Sequence, residues 1–211
     1  MLEAPSTPTR LGPYHLVREL GAGAMGTVYL AEDPDEDDPI ALKVVHSHHA
    51  DRKGFLKRFQ REPEAGRRVD HPNVVRTFDC GFHQQDGRPY WVLVMEYVKG
   101  RTLRDLLRDL GQVPEGLVRE IGRQVAEGLA AIHEAGIIHR DLKPENVLIT
   151  DDHRVRIMDL GVARHTELST ALTKDGQFAG SLLYAAPEQF RREGEVGPAA
   201  DLYALGVVLY E

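Results

Sequence analysis

An α+β fold in two lobes, β-rich first and helix-rich second, is what the sequence predicts, and three observations predict it. Short β-rich runs separated by turn signals fill the chain from Tyr14 to about residue 98. After Gly100 the apolar residues recur at helical spacing. The chain has 211 residues, 42% of them hydrophobic and 28% charged, enough for one large domain or two small lobes with a buried core.

The elements follow in order. "MLEAPSTPTRLGP" (1–13) is rich in Pro, Ser and Thr and is expected to be a flexible arm. "YHLVREL", "TVYLAED" and "IALKVV" are strands, with "DPDEDDP" (33–39) an acidic hairpin tip between the second and third. "VVRTFDCGF" and "YWVLVMEYV" make five strands in all, and the Asp86-Gly87 pair between them is a hairpin signal. "TLRDLLRDLG" has Thr102 and Asp105 at capping-box spacing and Gly111 as its stop. "PEGLVREIGRQVAEGLAAIHEAG" sets Leu117, Ile121, Val125, Leu129 and Ile132 on one stripe, opened by Pro114 and closed by Gly136. The expected organisation is an arm at 1–13, a β-rich lobe at 14–98 and a helical lobe at 99–211.

Charge and cysteine content narrow the function. A net charge of −7 disfavours bulk nucleic-acid or anionic-membrane binding. Cys80 is the single cysteine, so an intrachain disulfide is impossible and a reducing compartment fits. No apolar run reaches the length of a membrane span. A cytoplasmic setting is the default expectation. His46 and His48 in "VHSHH" lack a carboxylate or thiol at ligand spacing and read as a polar loop rather than a zinc site.

Four stretches carry chemistry. "GAGAMGTV" holds Gly21, Gly23 and Gly26 between two strands. A glycine hairpin lets backbone N–H groups approach phosphates. A dinucleotide fingerprint would be followed by a helix instead. Lys43 on the next strand suits phosphate oxygens as a point charge. "HRDLKPENVLI" (139–149) puts Asp141, Lys143 and Asn146 in a polar loop between the long helix and an apolar strand. Asp141 can orient and deprotonate a hydroxyl, Lys143 can neutralise a transferring phosphoryl group, and Asn146 can ligate a metal. "VRIMDLG" ends a strand on Asp159, a hard oxygen ligand suited to Mg²⁺. "AAPEQ" (185–189) closes the segment after it.

Together, in this order, these motifs resemble the protein kinases, specifically the bacterial serine/threonine kinases of eukaryotic type. The resemblance runs from Tyr14 to the end. It implies a protein-kinase-like bilobal fold, ATP and Mg²⁺ as cofactors, and transfer of the γ-phosphoryl group to protein Ser or Thr. Leu20, Gly21, Ala22, Gly23, Gly26 and Val28 would cover ATP, and Val28, Ala41 and Leu148 would sandwich adenine. Lys43 would bind the α/β-phosphates. Met95 resembles the gatekeeper, with the backbones of Glu96 and Val98 as the adenine-binding hinge. Asp141 would be the base, with Asn146 and Asp159 as metal ligands. Arg140 beside Asp141 is similar to kinases switched by loop phosphorylation, and Ser169, Thr170 and Thr173 are the candidate sites. Ser181 matches the hydroxyl that meets the catalytic Asp and Lys, which makes it a poorer phosphosite.

Three departures from the pattern bear on activity. Leu160 stands where Phe is usual. "ADLYALGVVLYE", anchored by Asp201, resembles the buried central helix of the large lobe. Its apolar residues nearly encircle it, yet the sequence ends at Glu211 before the helices that cover it in the family, and before the arginine that Glu188 pairs with there. A C-lobe truncated at this point is expected to expose an apolar patch. "REPEAG" (61–66) is the third. Phe55, Phe59, Glu62, Gly66 and Val69 lie on one helix face, which matches Glu62 to the glutamate that pairs with the strand lysine. Pro63 and Gly66 cost such a helix about 3 and about 1 kcal/mol. Alternatively, a new helix starts at Pro63. A weakly held Lys43–Glu62 pair would make activity depend on a homodimer, another activating partner or loop phosphorylation. The rival function is a catalytically weak or inactive kinase-like module that binds nucleotide or protein partners.

Overall fold

The computed structural model describes residues 9–23, 26–45, 66–85, 87–160, 183–190 and 196–211. Glu62, Pro63, His46, His48, Gly161, Ser169, Thr170, Thr173 and Ser181 lie outside these residues. The chain packs into two compact units, Met1–Pro63 with Thr77–Tyr97, and Glu64–Arg76 with Val98–Glu211.

The first unit is an antiparallel sheet of six described strands, β1 (Arg10–Leu11), β2 (Tyr14–Ala22), β3 (Gly26–Glu32), β4 (Ile40–Val45), β5 (Thr77–Gln85) and β6 (Arg88–Glu96), in the order β1-β2-β3-β4-β6-β5. Its core is one face of the sheet. Leu16, Ala31, Ile40, Leu42, Val92 and Val94 are buried there together with Leu11 and Tyr14. Two sequence expectations change. The sheet has six strands rather than five, and the arm at 1–13 is not all arm. Arg10 and Leu11 pair with His15 and Tyr14, because Leu11 is an apolar side chain that the core buries completely. At the acidic tip, Asp33 caps its own turn by accepting from the Asp35 N–H at 3.1 Å. The Asp-Gly signal is met where Gln85 pairs with Arg88 and Gly87 takes φ +72°.

The second unit holds a small sheet, β7 (Gly100–Thr102), β8 (Val147–Thr150) and β9 (Val155–Ile157), in the order β7-β8-β9. It also holds helices α1 (Leu103–Leu110), α2 (Glu115–Glu134) and α3 (Ala199–Tyr210). Thr102 caps α1 by accepting from the Asp105 N–H at 3.1 Å, and Gly111 ends it at φ +68° with its N–H on the Leu107 carbonyl. The predicted stripe of α2 is the core. Ile121, Val125, Leu129 and Ile132 pack with Val147, Ile149, Val155 and Ile157 from the strands and Ala204, Leu205 and Val208 from α3. On the other side of α3, Leu202 is 57% and Tyr210 94% exposed. No described helix is long and apolar enough to cross a membrane.

The boundary at 14–98 also needs correction. Residues 64–76 belong to the helical unit, because buried groups fix them there. Val69 and Val74 join its core. Asn73, 6% exposed, donates from Nδ2 to Gln124 Oε1 of α2 (3.0 Å) and to the Val155 carbonyl of β9 (2.9 Å). The Val75 N–H donates to the Ile157 carbonyl, and the Ile157 N–H returns to the Asn73 carbonyl. The strand expected over 74–82 therefore starts only at Thr77. The other boundary falls between Tyr97 and Val98.

Candidate active site

The sheet unit presents its predicted residues by register. β3 aligns Val28 with Lys43 and Leu30 with Ala41, and β6 aligns Leu93 with Lys43 and Met95 with Ala41. Directly paired residues share a face, so Val28, Ala41, Lys43 and Met95 lie together, opposite the face on which Leu42 and Val94 form the core. β2 carries two register shifts, one between Glu19 and Gly21 that makes Leu20 a bulge residue, and bulges re-aim a strand locally. The hairpin then closes with the Gly23 N–H on the Gly26 carbonyl at 2.9 Å. The three glycines are not equivalent. A Cβ on Gly26 would sit 2.2 Å from the Val44 carbonyl oxygen, whereas one on Gly21 would meet nothing within 4 Å. Gly26 is required by the close approach of β4. Gly21 and Gly23 leave open backbone. Glu96 is the last residue of β6, and Val98 opens the helical unit's second segment.

The helical unit builds its part by hydrogen bonds from a buried anchor. Asp201 in the first turn of α3 is 1% exposed. It accepts the N–H groups of His139 (2.8 Å) and Arg140 (2.7 Å), and Nε2 of His133 lies 2.8 Å from the same carboxylate. Arg140 is thereby held at φ +63°, a left-handed conformation costly for a side chain with a Cβ. Its carbonyl is fixed as well, accepting from Gln189 Nε2 at 2.9 Å. His139 is fully buried. The Asp141 N–H donates to its Nδ1 (3.3 Å), so Nε2 carries the proton and donates to the Met158 carbonyl (3.0 Å).

These contacts set Asp141. Its Oδ2 is 3.1 Å from Lys143 Nζ and accepts from Asn146 Nδ2 at 3.2 Å, while the same amide donates to the Asp141 carbonyl at 2.7 Å. Two donations from one NH₂ fix the amide plane and turn its oxygen away from Asp141. The Met158 N–H donates to the Asn146 carbonyl at 3.0 Å, which ties this loop to the residue before Asp159. Asp159 itself takes φ +57°. Leu148, between the buried Val147 and Ile149 of β8, points away from the helical core. Arg140 is under tension of a second kind. Its Nε is buried with no hydrogen-bond partner among the described residues, and burial pulls its pKa below the ordinary arginine value despite the Asp201 charge.

Sequence reasoning brings Asp141, Lys143 and Asn146 to one place and names Asp201 as an anchor. It misses His133, Gln189, Asn73 and Gln124, single polar residues with no local pattern, whose partners include residues 49 to 82 positions away.

The protein kinase domain model matches residues 14–211. Among curated proteins, the chain is 40% identical to serine/threonine-protein kinase PknA of Corynebacterium glutamicum over 94% of this chain and 42% of that protein. It is 41% identical to PknL of Mycobacterium tuberculosis over 94% and 48%, and 37% identical to PrkC of Bacillus subtilis over 95% and 30%. The chain thus spans less than half the length of these curated relatives. Among solved structures, the M. tuberculosis PknI kinase domain superposes with a TM-score of 0.77 at 33% identity, over 95% of this chain and 72% of that one. With the fold, the motif order and these similarities in agreement, the chain belongs to the protein kinase domain family, in its serine/threonine branch.

Proposed function

We propose that this domain transfers the γ-phosphoryl group of ATP to Ser or Thr hydroxyls of protein substrates, with Mg²⁺. The observation that carries the reading is the loop in which Lys143 and Asn146 both contact Asp141 Oδ2, on a backbone fixed by the buried Asp201. A carboxylate oriented in this way takes the proton of the acceptor hydroxyl as its oxygen bonds to the γ-phosphorus and the bond to the bridging oxygen breaks, releasing ADP. Lys143 offsets the charge on the phosphoryl oxygens.

The sheet residues fit the nucleotide. The open backbone at Gly21 and Gly23 admits phosphate oxygens to N–H groups, Lys43 supplies a cation, and Val28 and Ala41 share its face as an apolar surface for a base. Leu20, Ala22 and Gly26 shape the loop, and Met95 shares the face of Ala41; Glu96, Val98 and Leu148 are assigned to adenine by the resemblance alone. Asn146 and Asp159 fit a divalent metal through an amide and a carboxylate oxygen. An ion of this kind binds through one or two protein carboxylates and takes its remaining ligands from phosphate and water. Mg²⁺ would supply charge neutralisation on the phosphates. Arg140, desolvated and unsatisfied at Nε, suits a phosphate added to Ser169, Thr170 or Thr173.

Full-length protein incubated with ATP and Mg²⁺ is expected to place phosphate on protein Ser/Thr, with the Asp141→Asn variant at background. Label that persists in that variant would remove Asp141 from its role. Tight ATP binding with no transfer would favour a nucleotide-binding module.

A further inference from the structure

One contact of the sheet unit has no part in the chemistry above. β1 and β5 are the two outermost strands of the sheet, yet they meet through His83 of β5. Its imidazole fills the space beside Gly12, in the turn between β1 and β2. A Cβ on Gly12 would sit 2.3 Å from Nδ1, 2.6 Å from Cε1 and 2.7 Å from Cγ of that ring. Tyr14, at the start of β2, sets its own ring edge-on to the same imidazole, with centroids 5.8 Å apart at 86°. Its phenol also senses β5. Burial, then the charges of Asp33, Asp79 and Asp35, raises its pKa. His83 is two residues from Gly81, which pairs with the core residue Val92, so it lies on the core face. The sheet thus curls until its two edges touch, with Leu11, Leu16, Leu42 and Val94 enclosed.

Strand pairing fixes which residues share a face, not how strongly the sheet curls. One curvature serves both faces, the core face that His83 closes and the opposite face that carries Val28, Ala41, Lys43 and Met95. β2 is the strand most sensitive to that curvature. Among the described residues, β1 and Thr9 support its outer side only from Tyr14 to Leu16. Onward to Ala22 it is laddered to β3, through two register shifts. Leu16 to Gly21 is at most about 17 Å of strand. A change of about 10° at the closure is under half the ordinary twist between neighbouring strands. It would swing Gly21 by about 3 Å, the length of a hydrogen bond.

We propose that His83 is a positioning residue for the phosphate loop: by closing the two edges of the sheet on Gly12 and Tyr14, it sets the curl that holds Gly21 and Gly23 over the triphosphate of ATP. This rests on the kinase reading above. The ring acts by filling space, so its shape matters and its nitrogens do not.

Calorimetric titration of the full-length protein with ATP-Mg²⁺ and with adenosine separates positioning from plain stability. His83→Ala should weaken ATP about tenfold, or about 1.4 kcal/mol, and adenosine less than twofold, because Val28, Ala41 and Met95 keep their register. His83→Phe, which keeps a flat ring against Gly12 and Tyr14, should bind ATP within twofold of wild type. Gly12→Ala, whose methyl group displaces the ring, should lose ATP affinity in the same way and serves if His83→Ala does not fold. Added to His83→Ala, it should change ATP affinity less than twofold further. Unmoved ATP affinity in a folded His83→Ala protein, equal losses for ATP and adenosine, or a His83→Phe protein no better than His83→Ala overturns the assignment. If wild type binds neither ligand, the kinase reading is what fails. Amide hydrogen exchange then decides the closure independently. His83→Ala should exchange the amides of residues 17–22 at least tenfold faster than wild type, with β4 and β6 unchanged, and equal rates at 17–22 would refute it.

Discussion

In the sheet unit, Val28, Ala41, Lys43 and Met95 share a face because strand pairing leaves them no alternative. In the helical unit, Asp141 is aimed through a relay in which Asp201 grips two backbone N–H groups and His139 links two more backbone groups. Placement by register is spread over many hydrogen bonds, and deleting one side chain leaves it standing. Placement by relay is concentrated in a few buried atoms, so a single substitution far from the reacting groups can undo it.

The largest effect should come from breaking the relay at its root. Asp201→Asn keeps one acceptor oxygen but turns an NH₂ group toward a backbone donor, leaving the N–H of His139 or Arg140 buried and unpaired. Removing one side of a buried charged interaction costs about 3–5 kcal/mol, and without its N–H partner the φ of +63° at Arg140 loses support. Thermal unfolding of this variant should shift down accordingly, and phosphoryl transfer should fall at least a hundredfold. Retained transfer in a fully folded Asp201→Asn protein would show that the relay is dispensable.

The sheet unit has one point of comparable sensitivity, and it is steric. Gly26→Ala sets a methyl group 2.2 Å from the Val44 carbonyl oxygen and 3.0 Å from its carbon. The obstacle is backbone, so β3 and β4 must separate. Overpacking of this kind costs about 1–3 kcal/mol. Denaturant unfolding should report it as a lower midpoint with little change in slope. An unchanged midpoint would mean that the hairpin yields more easily than a six-stranded sheet should.

What could be read in advance follows the same division. The strands of the sheet unit, the caps of α1 and the stripe of α2 were legible because each is a local pattern of period two or 3.6. The loop of Asp141, Lys143 and Asn146 was legible because three polar residues that contact one another crowd into six positions. The arm was misjudged at Leu11, where one apolar residue among Pro, Ser and Thr carries no periodicity yet is completely buried. The lobe boundary was misplaced because Asn73 and Val74 sit beside β5 in sequence, while their hydrogen-bond and core partners are in α2 and β9. Long-range polar pairings such as His133 with Asp201 leave no trace in the spacing of either residue.

The smallest effect on stability is also the sharpest test of the sheet's role. Gly21 lies on β2 opposite Val28, and a Cβ there meets nothing within 4 Å. Replacing glycine by alanine at an unstrained strand position lowers the entropy of the unfolded chain, a gain of about 0.4–1 kcal/mol. Gly21→Ala should therefore fold at least as well as the wild type. If the open backbone at this position exists for phosphate to approach, the added methyl group should nonetheless weaken ATP binding by about tenfold, or about 1.4 kcal/mol. Titration of a fluorescent ATP analogue against both glycine variants separates the two roles. Gly26→Ala should lose stability, and Gly21→Ala should lose affinity alone. Equal ATP affinity in Gly21→Ala and wild type would return this glycine to the status of an ordinary turn residue and leave Lys43 as the sheet's main claim to the phosphates.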